Sequence, residues 1–154
     1  MEHRYFPVFV PTTGRKAVVF GGGSIAARRV KTLMEFDFDV VVVSPEVSSE
    51  ITAFAAEGKL QYIADCYKED YLDGCYMAIA CTDQRDVNRA AGREARARGM
   101  LVSVCDNREE CNFYFPAVAV NDEITAGLAG DGSSHSVTRR AAAAVRDIIE
   151  RKAY

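Results

Sequence analysis

The spacing of apolar residues alternates along the chain between two periods. Residues 17–20 (Ala-Val-Val-Phe) are a short continuous apolar run that stops at Gly21-Gly22-Gly23. Ile25, Ala26, Val30, Leu33 and Met34 then recur at the spacing that gives a helix one apolar stripe. Residues 40–43 are four consecutive valines, the pattern of a parallel strand covered on both faces. The stretch from Lys16 to about Ser44 thus predicts strand, glycine turn, helix and strand. Ser48 or Ser49 can cap a helix carrying Ile51, Phe54 and Ala55, Gly58 can end it, and residues 60–63 resume as a strand. A helical turn near 68–72 leads to a fourth strand at 76–80. Thr82 or Asp83 then caps a polar helix with Val87, Ala90, Ala91 and Ala95 inward and Arg89, Arg93 and Arg96 outward. Gly99 closes it, and residues 101–104 form strand five.

Strands and helices that alternate through short loops predict right-handed crossovers, hence an α/β, Rossmann-like doubly wound parallel sheet over residues 1–112. The alternation breaks after Asp106. Residues 113–120 and 123–129 read as two strands around Asn121-Asp122 with no helix between them. A last helix from about Ser134 to Lys152 puts Val137, Ala141, Ala144, Val145 and Ile148 on one stripe, with Arg139, Arg140, Arg146, Asp147 and Glu150 off it. A lone hairpin is only marginally stable in water. Residues 113–154 therefore need a surface to cover, either the chain's own sheet or a second copy.

Length and composition narrow the picture. A chain of 154 residues can bury one good core, and 49% hydrophobic with 27% charged residues excludes wholesale disorder. A net charge of −3 argues against nonspecific nucleic-acid binding, which needs a basic surface. No apolar run approaches the roughly 20 residues that cross a bilayer, and Met1-Glu2-His3-Arg4 leads into no signal-peptide core, so a cytoplasmic protein without a membrane partner is expected. Five cysteines, odd in number and without a Cys-x-x-Cys pair, predict neither a disulfide framework nor a zinc knuckle; free thiols, mostly in strands, are expected. Arg28-Arg29 and Arg139-Arg140 can meet an anionic ligand or form an ordinary solvated helix face.

Gly21-Gly22-Gly23-Ser24-Ile25-Ala26 fits G-x-G-x-x-A, the alanine form of the dinucleotide fingerprint. In that motif the first glycine permits the tight turn, the second removes a Cβ that would collide with a pyrophosphate, and a small third residue lets helix pack on strand. The helix then aims its N–H groups and partial positive charge at the phosphates. As a string the motif is weak, and a glycine turn serving only packing is the alternative. Its position between a strand and a helix, with another strand within about 30 residues, favours dinucleotide binding. The fingerprint's acid at the end of strand two is missing, because that strand ends Val43-Ser44-Pro45-Glu46. Either Glu46 reaches the ribose, or Ser44 and backbone groups replace the acid. No arginine stands there for a 2′-phosphate, which leans toward NAD over NADP.

These residues resemble the precorrin-2 dehydrogenases, which form the amino-terminal part of sirohaem synthases. The resemblance rests on Phe6-Pro7-Val8-Phe9-Val10 with Gly14-Arg15-Lys16, on the glycine turn with Ala26 and Arg28, and on Ala80-Cys81-Thr82-Asp83 leading to Asn88. It continues through Val102-Ser103-Val104-Cys105-Asp106, Cys111-Asn112-Phe113, Phe115-Pro116-Ala117, and the hairpin and helix near Ser134-His135-Ser136, covering nearly the whole chain in order. It implies that NAD accepts a hydride as precorrin-2 is oxidised to sirohydrochlorin, with iron insertion in some members, and that residues after 112 build a homodimer interface. It implies NAD contacts at Gly21, Gly22, Gly23, Ser24 and Ile25, with Pro45 and Glu46 beside the adenosine and Thr82 beside the nicotinamide half. Arg28, Ser134 and His135 are weaker candidates for the polyanionic substrate.

The resemblance makes Asp106 catalytic. Independently, Asp106 follows strand five at the carboxyl edge, where doubly wound sheets place ligands, and hydride removal must be matched by proton loss to a base. A turn-capping aspartate is the alternative.

Most members of that family continue into a helical domain, whereas this chain ends at Tyr154. A natural short form, a fragment, or a wall supplied by another chain are the readings. Related sequences commonly have Ser-Gly-Gly-x-Ser-Pro where this chain has Asp131-Gly132-Ser133-Ser134-His135; Asp131 would repel a polyanion and a protonated His135 attract one. Asp106 with His135 is a weak candidate for an open iron site. The competing function is an NAD- or tetrapyrrole-binding module without turnover, a sensor or a subunit.

Overall fold

The computed structural model describes residues 5–130 and 134–152, except for the side chain of His135. Strand β1 (Arg15–Phe20) runs between β2 (Phe38–Val43) and β4 (Cys75–Ala80), with β3 (Gln61–Ile63) and β5 (Leu101–Val104) outside them. The order β3-β2-β1-β4-β5 is parallel throughout. Val18, Val19 and Val42 are wholly buried, as are the helix residues Ala26 and Val30. Each buried valine contributes roughly 1.5–3 kcal/mol, so these runs, rather than helix propensity, hold the layer together. Helices α1 (Ser24–Leu33), α2 (Ser49–Ala56) and α3 (Arg85–Ala97) supply the crossovers, with 3₁₀ turns at Glu69–Leu72 and Arg108–Glu110.

The chain steps from β1 outward to β2 and β3, then returns to β4 on the other side of β1. That reversal opens a crevice at the carboxyl ends of β1 and β4, where such sheets take their ligands. The expected Rossmann-like sheet is therefore observed.

Several local expectations are corrected. Helix α3 starts at Arg85, and neither Thr82 nor Asp83 caps it: the Thr82 hydroxyl accepts the Gln84 N–H only two residues on (3.1 Å), closing a turn before the helix begins. Its buried face is Asn88, Ala91, Gly92 and Ala95; Val87 and Ala90 are only half-buried. Ser48 caps α2, accepting from the Ile51 N–H. Only Cys75 lies within a strand, while Cys81 and Cys105 sit one residue beyond the ends of β4 and β5. Cys66, Cys75, Cys81, Cys105 and Cys111 are all free thiols.

Contacts divide the chain into two compact units: residues 11–113 carry the parallel sheet, and residues 114–152 group with residues 5–10. In the second unit β6 (Ala117–Val120) pairs antiparallel with β7 (Thr125–Leu128), both shorter than the sequence predicts. The Asn121 side chain accepts from the Glu123 and Ile124 N–H groups and so ends the ladder.

Helix α4 (His135–Glu150) covers the hairpin through Ala142 and Ile149, and Arg146 donates to the Val118 carbonyl at 2.7 Å. The predicted stripe is not the one the hairpin covers. Val137, Ala141, Ala144 and Ile148 are exposed, Val137 at 53% and Ile148 at 46%. Helix α4 thus has one apolar face inside its unit and another facing outward.

Candidate active site

At the crevice lies a cleft of about 800 Å³, built from the glycine turn, the loop after β2, residues 65–67 after β3, and the loop after β4. The three glycines have different reasons to be there. Gly21 has φ +121°, and a Cβ on it would meet the Cys81 carbonyl oxygen at 2.6 Å, so it makes the tight turn beside β4. A Cβ on Gly22 would lie 2.0 Å from the Glu46 carbonyl oxygen and 2.8 Å from Val47 Cα. That glycine admits the chain's own β2–α2 loop, locked by the Ser48 N–H donating to the Gly22 carbonyl at 2.8 Å. At Gly23 no described residue beyond its chain neighbours comes within 4 Å of the missing Cβ, so the space there is open.

Gly23 also begins α1 without a side-chain cap, and no acid occupies the first turn. The uncapped N–H groups face the cleft with the helix's partial positive charge, which suits a pyrophosphate. Ser24 and Ile25 line the same mouth, as do Pro45, Glu46 and Thr82. Ser44 is spoken for by its own loop: its hydroxyl donates to the Glu46 carbonyl at 2.7 Å, and Tyr62 donates to the Ser44 and Pro45 carbonyls. Asp65 lines the β3 side of the cleft, its carboxyl held down to about 2 by hydrogen bonds from Lys68 and Tyr71.

Asp106 stands on the same rim just past β5, outside the cleft lining. Its Oδ2 accepts from Asn88 Nδ2 at 2.9 Å and its Oδ1 from Arg85 Nη1 at 3.4 Å. Asn88 is 1% exposed and fully used: Nδ2 also donates to the Thr82 carbonyl (3.0 Å), while Oδ1 accepts from the Thr82 N–H (2.9 Å) and hydroxyl (2.7 Å). An exposed ion pair such as Arg85–Asp106 contributes about 0–1 kcal/mol, whereas each Asn88 bond contributes roughly 0.5–1.5 kcal/mol in a buried place. Asn88 therefore fixes Asp106 against the Thr82 loop. Arg85 also pairs with Glu110.

The family described as "Putative NAD(P)-binding" matches residues 8–117. The chain belongs to that family. As a member of this NAD(P)-binding family, it is 37% identical over 93% of its length to the "Probable multifunctional siroheme biosynthesis protein HemA" of Ruminiclostridium josui, covering 28% of that protein. It is 34% identical to the "Siroheme synthase" of Methylobacillus flagellatus, again over 93% of this chain and 31% of that protein. The chain thus spans less than a third of these curated relatives. Among solved structures, "SirC, precorrin-2 dehydrogenase" superposes with a TM-score of 0.77 at 26% identity, over 93% of this chain and 70% of that one.

In this NAD(P)-binding fold Arg28 is exposed on α1 and outside the cleft. Its neighbour Arg29 is the half-buried one, and its charge acts on the Cys105 thiol. Ser134 belongs to the second unit, where its hydroxyl meets that of Ser136 at 3.0 Å. Asp131 and the His135 side chain, on which the charge reading and the iron-site reading depend, lie outside the described residues. Among the described residues no three His, Cys, Asp or Glu side chains converge to hold a metal, and no helix is long and apolar enough to cross a membrane.

The sequence named Asn88 and Arg29 without giving either its role here, and it did not pair Cys81 with Cys105. The Asn88 signal was present, since position 88 lies three and four residues before Ala91 and Gly92 on the buried face of α3. Cys105 is pulled down to about 6, first by the hydrogen bond from Cys81 and then by the Arg29 charge, against burial. Cys81 is pushed up by holding the shared proton and by burial.

Proposed function

We propose that the chain catalyses the NAD-dependent oxidation of precorrin-2 to sirohydrochlorin in sirohaem biosynthesis. The observation that carries this reading is the Thr82–Asn88–Asp106 chain of hydrogen bonds, which ties a carboxylate to the dinucleotide cleft across adjacent strands. The names of the superposed structure and of the relatives support it. Bound NAD supplies the hydride acceptor. The uncapped start of α1 at Gly23 would hold the pyrophosphate, and Thr82, which lines the same cleft, would contact the nicotinamide half. Pro45 and Glu46 border the adenosine, and the lack of a basic residue in 44–48 favours NAD over NADP. Asp106 takes the proton that must leave the macrocycle when the hydride goes. Arg28, exposed on α1, is the candidate of the sheet unit for one of the substrate's carboxylates.

Anaerobic incubation with NAD and precorrin-2 is expected to give NADH and sirohydrochlorin in equal amounts, read by absorbance. NAD binding with no turnover at any protein concentration would overturn the enzyme reading in favour of a binding module. Repeating the assay with ferrous iron tests chelatase activity.

The second unit is proposed as a homodimerisation segment. The outward stripe Val137, Ala141, Ala144 and Ile148 on α4 is an apolar surface that the described residues of its own unit leave uncovered, and a two-fold interface would bury it. Light scattering is expected to give twice the chain mass, and Ile148→Glu to give a monomer. A monomeric parent protein would overturn this assignment.

A further inference from the structure

The two cysteines at the ends of β4 and β5 are brought together by the ladder. Ala80 pairs with Val104, and the ladder runs one residue further: the Cys81 N–H donates to the Phe20 carbonyl and the Cys105 N–H to the Ala80 carbonyl, each at 2.9 Å. Neighbouring strands lie about 4.8 Å apart, and a disulfide needs Cα atoms about 4.4–6.8 Å apart, so this register suits a bridge without strand separation. Interaction between the two thiols leaves the proton on Cys81 and favours the thiolate on Cys105. We propose that Cys105 and Cys81 form a thiol-modification site, in which Cys105 accepts a group from a low-molecular-weight disulfide and Cys81 resolves the adduct into an intramolecular disulfide.

The surroundings set the order of events. Cys81 is 9% exposed, whereas Cys105 is half-buried and reachable. The positive charge of Arg29 favours the Cys105 thiolate, while Asp106, the next residue, opposes it more weakly. A thiolate beside a cation is the reactive form of cysteine. The other cysteines lack this combination: Cys66 is exposed, burial pushes the Cys75 thiol up, and the Cys111 thiol donates to the Val104 carbonyl at 3.4 Å.

The chemistry balances without a further reactant. The Cys105 thiolate attacks one sulfur of RSSR, the S–S bond breaks, and RS⁻ leaves and takes a proton. The Cys81 thiol gives up its proton to solvent, its sulfur attacks Cys105 Sγ, and the second RS⁻ leaves. Two protein thiols are oxidised by two electrons, and one small disulfide is reduced to two thiols. The bridge would join the loop carrying Thr82 to the strand end carrying Asp106.

This inference does not depend on the substrate. The full chain, incubated anaerobically with oxidised glutathione and digested, is expected to yield a Cys81–Cys105 linked peptide. Cys81→Ser is expected to stop at a glutathione adduct on Cys105, and Cys105→Ser to leave Cys81 unmodified. In the unmutated protein, brief iodoacetamide treatment at pH 6.5 is expected to label Cys105 ahead of Cys66. Labelling of Cys66 ahead of Cys105, or a linked peptide that never includes both residues, would overturn the proposal.

Discussion

Replacing Asp106 by asparagine is expected to lower NADH production from NAD and precorrin-2 by about 10²–10⁴-fold, the range that general-base groups contribute. The substitution keeps shape and removes basicity. An asparagine oxygen can still accept from Asn88 Nδ2, so the tie to Thr82 survives. Arg85 loses a partner but keeps Glu110, and the lost pair is exposed, contributing about 0–1 kcal/mol. Thermal stability should therefore hardly move. NAD affinity should also stay within about threefold, because Asp106 lies outside the cleft proposed for the dinucleotide. Stopped turnover with intact binding and folding separates a base from a structural aspartate. Near-normal turnover by the asparagine variant would exclude Asp106 as the base.

The sheet was legible because its evidence is local. Val40 to Val43 are buried on both faces, as an unbroken β-branched run implies, and a strand, a glycine turn and a helix follow one another in the sequence itself. The place of Asp106 followed from one rule about the carboxyl ends of parallel strands. What escaped was set by contacts distant in sequence. Gly22 reads as the variable position of G-x-G, yet its reason is the backbone of Glu46 and Val47, more than twenty residues on. The motif singled out Arg28, yet the angular position on α1 leaves Arg28 exposed and turns Arg29 inward. In α4 two apolar stripes coexist, and the pattern alone could not assign one to the hairpin and the other to the outside. Asn88 shows the opposite case: a polar residue on a buried helical stripe was readable, and it proved to connect the cofactor loop with the candidate base.

The glycine turn offers the sharpest separation of folding from binding. Gly22→Ala places a methyl 2.0 Å from a backbone carbonyl oxygen and 2.8 Å from a Cα, atoms that cannot rotate away. The β2–α2 loop must shift and strain its bond from the Ser48 N–H, at a cost of about 2–4 kcal/mol. For a chain of this size that corresponds to a fall in Tm of about 5–15 °C by calorimetry. NAD binding should fall with it, because the same loop lines the cleft. Gly23→Ala should behave in the other way. Its φ is −81°, and nothing lies within 4 Å of the new methyl, so folding is unhindered and the less flexible unfolded chain adds up to about 1 kcal/mol of stability. The methyl nevertheless occupies the space above the helix N-terminus, where a pyrophosphate must come close to the backbone. NAD affinity by titration calorimetry should drop at least about tenfold, or about 1.4 kcal/mol, with Tm unchanged or slightly raised. A Gly23→Ala protein that binds NAD as well as its parent would show that the pyrophosphate does not lie over Gly23. The two neighbouring glycines then divide the motif, Gly22 serving the fold and Gly23 the ligand.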